Sequence, residues 1–302
     1  MLKQTFYSNG KLLLTGEYVV LDGASAIAIP TKYGQSLEIV PSEKAGIHWK
    51  SLDENDAVWF EGNFTSEKGQ LKQLDKDKTS KILHNILLSA QQLNPNFLQE
   101  ANGWNLTTRL DFPRNWGLGT SSTLINNIAQ WAQVDAFVLL RKSFGGSGYD
   151  IAAAQSDGPI LYRLQDGIPI IKRVTSPWDF KDQLFFVHLN RKQDSKEGIV
   201  RYKNASVDTK MFTEIDDINK KLLVYTALSE FEALLDQHEQ LISELIQLPT
   251  IKKERFSDYP RTIKSLGAWG GDFVLATGGE AEKDYFRDKG YSTIIDFRTM
   301  LK

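Results

Sequence analysis

A glycine-rich segment in the middle of the chain, residues 113–123, has the residue types that hold an anion. It contains two closely spaced glycines followed by hydroxyl residues, and it runs directly into a stretch with apolar residues at helical spacing. Glycines let the backbone approach an anion closely, and the unpaired N–H groups of a helix's first turn favour negative charge there. The sequence therefore predicts a phosphate site formed by Gly117, Leu118, Gly119, Thr120, Ser121 and Ser122.

The hydroxyl residues of this segment have two interpretations. Thr120, Ser121 and Ser122 can contact phosphate or a hydrated Mg²⁺ ion. Serine and threonine are also good helix caps, so the segment by itself is equally consistent with a plain helix start. It has neither the Walker A pattern nor the G-x-G-x-x-G dinucleotide fingerprint, and the chain lacks the protein-kinase motif set.

Two further glycine segments and one lysine have residue types suited to the same chemistry. Residues 145–150 end in Asp150, which is either a helix-stabilising acid or a carboxylate held at a glycine-lined cleft. Residues 264–272 contain three glycines and, taken alone, indicate a turn between a helix and a strand. Lys11 precedes an apolar stretch and is either a solvated strand end or a point cation near phosphate.

Taken in chain order, Lys11 and the three glycine segments (residues 113–123, 145–150 and 264–272) resemble the motifs of the galactokinase–homoserine kinase–mevalonate kinase–phosphomevalonate kinase (GHMP) superfamily. The central segment is similar to that family's P-x-x-x-G-L-G-S-S pattern, with Thr120 in place of the first serine. The resemblance extends from residue 10 to residue 278. Residues 138–154 and the Gly270-Gly271-Asp272 ending are most similar to phosphomevalonate kinases, and residues 148–152 (GYDIA) suggest a GYDIA-type subgroup.

The resemblance implies a two-lobed α+β fold. Residues 1–165 would form an ATP-binding, ribosomal-protein-like α/β lobe with a left-handed crossover, and residues 166–302 a ferredoxin-like lobe. ATP and Mg²⁺ would bind in the cleft between them. Irregular mixing of strand and helix patterns along the chain independently favours α+β over a doubly wound sheet.

The resemblance also implies roles for individual residues. Residues 117–122 would hold the ATP phosphates, the Ser121 hydroxyl would contact Mg²⁺, Asp150 would accept the substrate's proton, and Lys11 would neutralise charge at the reacting oxygen. Glu17 matches the family's Gly-Glu pair and is open to a structural role. The residues expected on the acceptor side are Gly16, Glu17, Ser147, Gly148, Gly267, Ala268, Gly270 and Gly271.

A polar segment after a predicted strand adds two acceptor candidates. Ser195 and Lys196 belong either to a solvated loop or to a substrate-side loop that meets an anionic acceptor.

Two positions depart from the family pattern. Mevalonate kinases carry a metal-binding glutamate 11 residues before the catalytic aspartate, and Leu139 stands there in this chain. This argues against mevalonate kinase and leaves the second protein ligand to Mg²⁺ unidentified. Trp269 replaces a glycine of the third segment, and we expect its ring to fill space near the acceptor pocket.

The sequence thus predicts an ATP- and Mg²⁺-dependent kinase that phosphorylates a small molecule. The resemblance favours 5-phosphomevalonate as acceptor, then mevalonate, and leaves homoserine and sugars open. An ATP-dependent decarboxylase of the same family and a non-catalytic nucleotide or metabolite sensor are the alternatives. A sensor has no need to retain Lys11, Ser121 and Asp150 together, which argues for the enzyme.

Composition limits the remaining classes. The 302 residues carry a net charge of −2 and no cysteine, which excludes disulfides and thiolate chemistry and argues against a dedicated nucleic-acid binder. No apolar run is long enough for a membrane span, and the first ten residues lack a signal-peptide pattern. We expect a cytoplasmic monomer or homodimer whose partner is its small-molecule acceptor, with no nucleic-acid or membrane partner.

Several elements must position these residues. Apolar and β-branched patterns predict strands over Lys11–Leu21, Trp104–Phe112 and Phe273–Thr277. Helical spacing predicts a helix over Thr79–Leu93, and two or three helices within residues 208–248.

Overall fold

The computed structural model describes residues 2–67, 70–73, 77–99, 102–191, 195–205, 208–224, 227–267, 269 and 271–302. The chain divides into two compact units, each built from separate stretches. The first unit comprises Met1–Gly10, Tyr33–Arg114 and Leu118–Gln155. The second comprises Lys11–Lys32, Asn115–Gly117 and Ser156–Lys302. The sequence placed one boundary after residue 165, whereas in the structure two N-terminal strands supply residues to both units.

The strands are β1 (Gln4–Leu13), β2 (Ala26–Ser42), β3 (Gly46–Leu52), β4 (Val58–Glu67), β5 (Gln70–Gln73), β6 (Gly103–Leu110), β7 (Ile160–Gln165), β8 (Ile168–Arg173), β9 (Leu184–His188), β10 (Ile263–Ser265), β11 (Phe273–Thr277) and β12 (Ile294–Asp296). The helices are α1 (Lys78–Leu93), α2 (Thr120–Ala132), α3 (Ala136–Ser143), α4 (Tyr149–Ala154), α5 (Ser195–Asn204), α6 (Thr209–Leu222), α7 (Leu228–Ile246), α8 (Ile251–Arg255), α9 (Glu280–Asp288) and α10 (Phe297–Met300). No helix in the described part of the chain is long and apolar enough to cross a lipid bilayer.

The first unit is a sheet with helices packed on it. Its strands follow the order β5-β4-β3-β6-β2, and β3 and β6 pair in parallel while the other neighbours are antiparallel. Alternate residues of the strands are buried, and Leu37, Trp49 and Leu106 form one core cluster with Leu87 of α1 and Ile125 of α2. Burial of this apolar face holds α2 on the sheet, because an amphipathic helix must cover its apolar stripe.

The second unit contains an antiparallel four-stranded sheet in the order β10-β11-β9-β12. Along the chain the elements run β9, helices, β10, β11, α9 and β12, so the order of the four strands across the sheet is 2-3-1-4. This is the ferredoxin-like βαββαβ arrangement, as the resemblance implied. Long helices α6 and α7 pack against each other, and α7 also packs on β10.

A smaller hairpin belongs to the same unit. Strand β7 pairs with the beginning of β2 and, through a two-residue turn, with β8. Asp166 and Gly167 have φ values of 51° and 75°, the left-handed conformations that a tight two-residue hairpin turn requires.

One predicted strand is wrong. Residues 11–21 do not form a continuous strand, because β1 ends at Leu13 and Val19–Asp22 form a single turn of 3₁₀ helix. Gly16 at φ 85° and Tyr18 at φ 65° turn the chain between them. The valines that indicated a strand are instead buried inside this turn.

Candidate functional site

The predicted phosphate segment has the backbone geometry of an anion site. Helix α2 begins at Thr120, and its capping residue Gly119 has φ 92° and ψ 46° and makes no side-chain cap. The first-turn N–H groups therefore keep the unpaired character of a helix start. Gly117 also has a positive φ, 66°, and a side chain would be strained at either glycine. Leu118 between them is buried and anchors the segment, so only its backbone faces outward.

The hydroxyl side chains of this segment differ in exposure and in their hydrogen bonds. The Ser122 hydroxyl is buried and donates a 2.9 Å hydrogen bond to the Gly119 carbonyl. Thr120 is half-buried, whereas the Ser121 side chain is exposed and makes no hydrogen bond within the described structure. Ser121 is therefore the hydroxyl best placed to meet a ligand, and Ser122 stabilises the helix start.

Asp150 lies in the first turn of α4. The helix is capped by Gly148, with φ 89°, and the half-buried Asp150 carboxylate accepts a 3.0 Å hydrogen bond from the Ile151 N–H. Ser147 before the cap is buried. Helix α4 packs on α2 within the first unit. The proposed acid and the proposed phosphate helix thus belong to one compact body.

A chain of neutral side chains joins these two helices. Gln155, directly after α4, donates to Asn126 of α2 at 2.8 Å, and Asn126 donates to Ser8 at 2.8 Å. Ser8 donates to Asn127 at 2.7 Å, which in turn donates to the Gln35 carbonyl at 2.9 Å. We call this set the amide network: Ser8, Gln35, Thr123, Asn126, Asn127 and Gln155. It fixes α2 relative to both α4 and the sheet.

Three segments that are distant in sequence meet in the second unit. The Lys11 ammonium donates a 3.0 Å hydrogen bond to the Gly117 carbonyl. A side chain at Gly117 would overlap the carboxylate of Asp272, the last residue of the third glycine segment. Asp272 is held at the end of β9, where its N–H donates to the Arg191 carbonyl at 2.8 Å and its carbonyl accepts from the Leu189 N–H at 2.7 Å. The structure therefore brings together Lys11, the start of the phosphate segment and the third segment.

Gly16 and Glu17, both expected on the acceptor side, are packed inside the second unit. The Gly16 N–H donates a 2.9 Å hydrogen bond to Nε2 of His238, and a Cβ there would lie 2.7 Å from Ala26 Cβ. Glu17 is 1% exposed and its carboxylate accepts a hydrogen bond from Lys264. This environment favours the supporting role for Glu17 that the sequence left open.

Glu17 belongs to a buried group of ionisable side chains. We call Glu17, His238, Glu239 and Lys264 the ionic cluster. The fully buried Lys264 ammonium donates to Glu17, to Glu239 at 3.0 Å and to the carbonyl of Ser265. Glu239 also accepts a 2.9 Å hydrogen bond from the Ser265 N–H.

Burial and the charges within the ionic cluster shift the pKa of every member. Burial raises the pKa of Glu17 to about 7, against the attraction of Lys264, and burial also raises the pKa of Glu239. Burial works to lower the pKa of Lys264, but the two carboxylates outweigh it and raise that pKa. Burial, with Lys264 nearby, holds the pKa of His238 well below its ordinary value. His238 is therefore neutral at pH 7, and its Nε2 accepts the Gly16 hydrogen bond.

The remaining acceptor-side predictions are only partly described. Gly267 has φ 68°, and a Cβ at this position would have no neighbouring atom within 4 Å, whereas Gly271 is buried. Ala268 and Gly270 lie outside the described residues. Ser195 and Lys196 begin α5, but their side chains lie outside what the structure describes.

The two departures from the family pattern are both buried. Leu139 is fully buried in the first unit's core cluster, so its position offers no metal ligand. Trp269 is 5% exposed, donates from Nε1 to the Pro249 carbonyl at 3.0 Å and packs with Tyr18 and Ile242. The ring anchors its segment in an apolar cluster, and its place near the acceptor pocket stays a prediction.

The phosphate segment fits a nucleotide's phosphates, whereas protein ligands for a metal are few. Among the described residues, no group of three or more His, Cys, Asp or Glu side chains could hold a metal ion. Mg²⁺ that accompanies a nucleotide keeps several waters and phosphate oxygens, so one or two protein oxygens suffice. The exposed Ser121 hydroxyl at the start of α2 fits such a site.

Sequence reasoning missed the residues that hold these segments. Asn126 and Asn127 are a polar pair on an otherwise apolar face of α2, and Lys264 interrupts a short buried strand. A polar residue at a position where the pattern calls for an apolar one was the only local indication of these supporting groups. Their partners, however, lie up to 247 residues away in sequence and are not indicated by any local pattern.

Comparison with known proteins gives the fold. No protein-family model matches the chain, and no curated relative matches it either. Among solved structures, Streptococcus pneumoniae phosphomevalonate kinase in complex with phosphomevalonate and AMPPNP matches at 17% identity and TM-score 0.69, over 96% of this chain and 99% of that one. Methanococcus jannaschii mevalonate kinase matches at 14% identity and TM-score 0.68, over 97% of both chains. Lactococcus lactis galactokinase matches at 14% identity and TM-score 0.64, over 95% of this chain and 88% of that one.

The chain therefore has the fold of the GHMP small-molecule kinases over nearly its whole length. The α+β fold expected from its motifs is confirmed.

Proposed function

We propose that the protein is an ATP-dependent kinase that phosphorylates a small molecule, with Mg²⁺ as its metal. The observation that carries the proposal is the start of α2. There a left-handed Gly119 leaves the first-turn N–H groups without a side-chain cap, and Ser121 is exposed beside them. Helix α4, with Asp150 in its first turn, packs on the same helix.

The proposal gives each group a physical task. The backbone N–H groups at the start of α2 bind phosphate oxygens, and the Ser121 hydroxyl is a ligand for the metal. Bound ATP and Mg²⁺ supply the phosphoryl group and offset the negative charge that develops during its transfer. The Lys11 ammonium, fixed by the Gly117 carbonyl, adds positive charge on the acceptor side.

Asp150 orients the acceptor and accepts its proton where there is one to remove. An alcohol acceptor loses a proton as its oxygen bonds to the γ-phosphorus and the bond from that phosphorus to ADP breaks, and a carboxylate within hydrogen-bond reach takes the proton. A phosphate monoester acceptor already carries an anionic oxygen, so orientation alone is then needed. The requirement on Asp150 as a base is therefore smallest for a phosphorylated acceptor.

For the acceptor we propose 5-phosphomevalonate ahead of mevalonate. Similarity of fold does not separate these substrates, because kinases of both and of galactose match at least 95% of the chain. Support comes instead from the sequence of residues 138–154 and from Leu139, a buried core residue where mevalonate kinases carry a metal-binding glutamate.

A coupled assay of ADP release with 5-phosphomevalonate, mevalonate, homoserine and galactose tests the proposal. We expect ADP and a phosphorylated product in equal amounts with one acceptor, without gas. Release of CO₂ with the product would instead identify a decarboxylase. Nucleotide binding without turnover on any acceptor would identify a sensor and overturn the kinase proposal.

A further inference from the structure

The ionic cluster is a buried group of ionisable side chains that the proposed chemistry does not use. Its members come from three separate elements: Glu17 follows β1, His238 and Glu239 lie on α7, and Lys264 lies on β10. All are at most 3% exposed. Removing ions from water costs several kcal/mol per ion, and apolar side chains of similar volume often replace such groups without loss of stability. Stability alone therefore does not explain this arrangement.

The cluster holds the backbone of two segments. The Gly16 N–H is bound by His238, and both the N–H and the carbonyl of Ser265 are bound, by Glu239 and Lys264 respectively. Close packing against Ser25 and Ala26 leaves no room for a side chain at Gly16. Ser265 lies two residues before Gly267. The cluster thus fixes the backbone at Gly16 and at Ser265, near the start of the third glycine segment.

The Lys264 ammonium has no capacity left for a ligand. An ammonium group has three protons to donate, and Lys264 donates to Glu17, Glu239 and the Ser265 carbonyl. Its charge is balanced locally by carboxylates, and its side chain is fully buried. Lys264 therefore acts through the segments that it holds and does not touch substrate.

We propose that Lys264 is a positioning residue for acceptor binding: through Glu17 and Glu239 it holds residues 16–17 and 265–267 in one arrangement. The proposal rests on the proposed function, since it assumes that the third glycine segment, which the cluster helps to place, contacts the acceptor. It assigns no role to Lys264 in nucleotide binding. Loss of the cluster's charges should therefore lower the use of acceptor and leave nucleotide affinity unchanged.

The test is a variant without charge, Glu17→Gln/Lys264→Met/Glu239→Gln. All three substitutions approximately keep side-chain volume, so we expect a folded protein. We expect kcat/KM for the acceptor to fall about 10–100-fold, because small misplacements remote from the chemistry have effects of that size. The Kd of the nucleotide should stay within about twofold of wild type, a change under about 0.4 kcal/mol.

The matched control is Lys220→Met on α6. Lys220 pairs with Asp217 at 2.8 Å on the surface, so the same substitution removes an exposed ion pair from the same unit. We expect unchanged kinetics for it. A folded triple variant with acceptor kcat/KM within about twofold of the control would overturn the positioning role.

Amide hydrogen exchange of the wild-type chain is a second test of the positioning role and needs no variant. The Gly16 and Ser265 N–H groups should exchange as slowly as those inside α7. Rapid exchange of both would overturn the proposal, even where the triple variant fails to fold. Turnover by the wild type tests the kinase proposal separately, so failure of the function and failure of the positioning role give different results.

Discussion

The two units hold their proposed site residues with different kinds of buried polar groups. In the first, the amide network joins α2 to α4 and β2 through neutral side chains alone. In the second, the ionic cluster joins a turn, a strand and a helix through one cation and two carboxylates. Both arrangements fix segments that are far apart in sequence.

The difference predicts different responses to the environment. Neutral amides and hydroxyls satisfy one another without removing an ion from water and do not titrate near neutral pH. A buried carboxyl with a pKa of about 7 does titrate there. We infer that the contribution of the amide network to stability is insensitive to pH, whereas that of the ionic cluster changes between acidic and neutral pH.

The largest expected effect is on the chemical step in the first unit. Asp150→Asn keeps the shape of the side chain but removes its charge, so kcat with an alcohol acceptor such as mevalonate should fall about 10²–10⁴-fold while ATP affinity is largely kept. With a phosphorylated acceptor, which has no proton to lose, the fall in kcat should be smaller. Steady-state kinetics and nucleotide titration measure both. Asp135→Asn is the control, since Asp135 caps α3 by accepting from the Val138 N–H and asparagine caps equally well. Normal turnover by Asp150→Asn would remove Asp150 from the mechanism.

The next effect is on nucleotide binding at the start of α2. Gly119→Val places a branched side chain at φ 92° and should abolish ATP binding while the fold survives. Calorimetric titration measures the affinity. Gly290→Val imposes similar backbone strain at φ 87°, where nothing lies within 4 Å of a Cβ, and should bind ATP normally. Unchanged affinity for Gly119→Val would show that the segment is only a turn.

Lys264→Met tests the ionic cluster directly. It leaves two carboxylates buried without their cation, so the free energy of unfolding at pH 7 should fall by about 3–5 kcal/mol. Urea denaturation measures it. The charge-free triple variant should lose much less. A loss below about 1 kcal/mol for Lys264→Met would mean that the cluster contributes no more than a surface ion pair.

Asn126→Leu tests the amide network. Ser8 and Gln155 each lose a partner, so the free energy of unfolding should fall by about 1–3 kcal/mol. Because the network contains no titrating group, the loss should be the same at about pH 5.5 and about pH 8 by urea denaturation. A loss that changed with pH would contradict the distinction drawn between the two regions.

The smallest expected effect is on the slope of the free energy of unfolding against pH. Since the pKa of folded Glu17 is about 7 and that of an unfolded glutamate is about 4.5, the folded state binds this proton more tightly. Its contribution to stability is complete below pH 4.5 and is lost as the pH rises to 7 and above, by at most about 1.4 kcal/mol per pH unit. Glu17→Gln should remove this component from unfolding curves recorded between about pH 4.5 and about pH 8. Parallel pH dependence of wild type and variant would contradict it.

Local sequence patterns were sufficient for much of the fold. Strand β11 occupies the predicted Phe273–Thr277, and α1 begins one residue before the predicted Thr79 and ends at the predicted Leu93. The predicted phosphate segment runs into α2 as expected. These elements were predictable because periodic burial and glycine punctuation are local properties.

The features that the sequence did not predict are set by tertiary contacts. The strand predicted over residues 11–21 failed because a turn at Gly16 and Tyr18 overrides the β propensity of the valines. The direction of the Trp269 ring is set by Tyr18 and Ile242, which lie in other segments. Pairing of Glu17 with Lys264 joins residues 247 positions apart, a distance at which no periodic pattern operates.

The most direct test of the central claim is the stoichiometry of phosphoryl transfer from ATP radiolabelled at its γ-phosphate. With 5-phosphomevalonate as acceptor, we expect one labelled product per ADP formed, and slower formation of that product by Asp150→Asn with nucleotide still bound. If wild-type protein binds ATP but labels neither this acceptor nor mevalonate, homoserine or galactose, the chain has the kinase fold without the proposed activity.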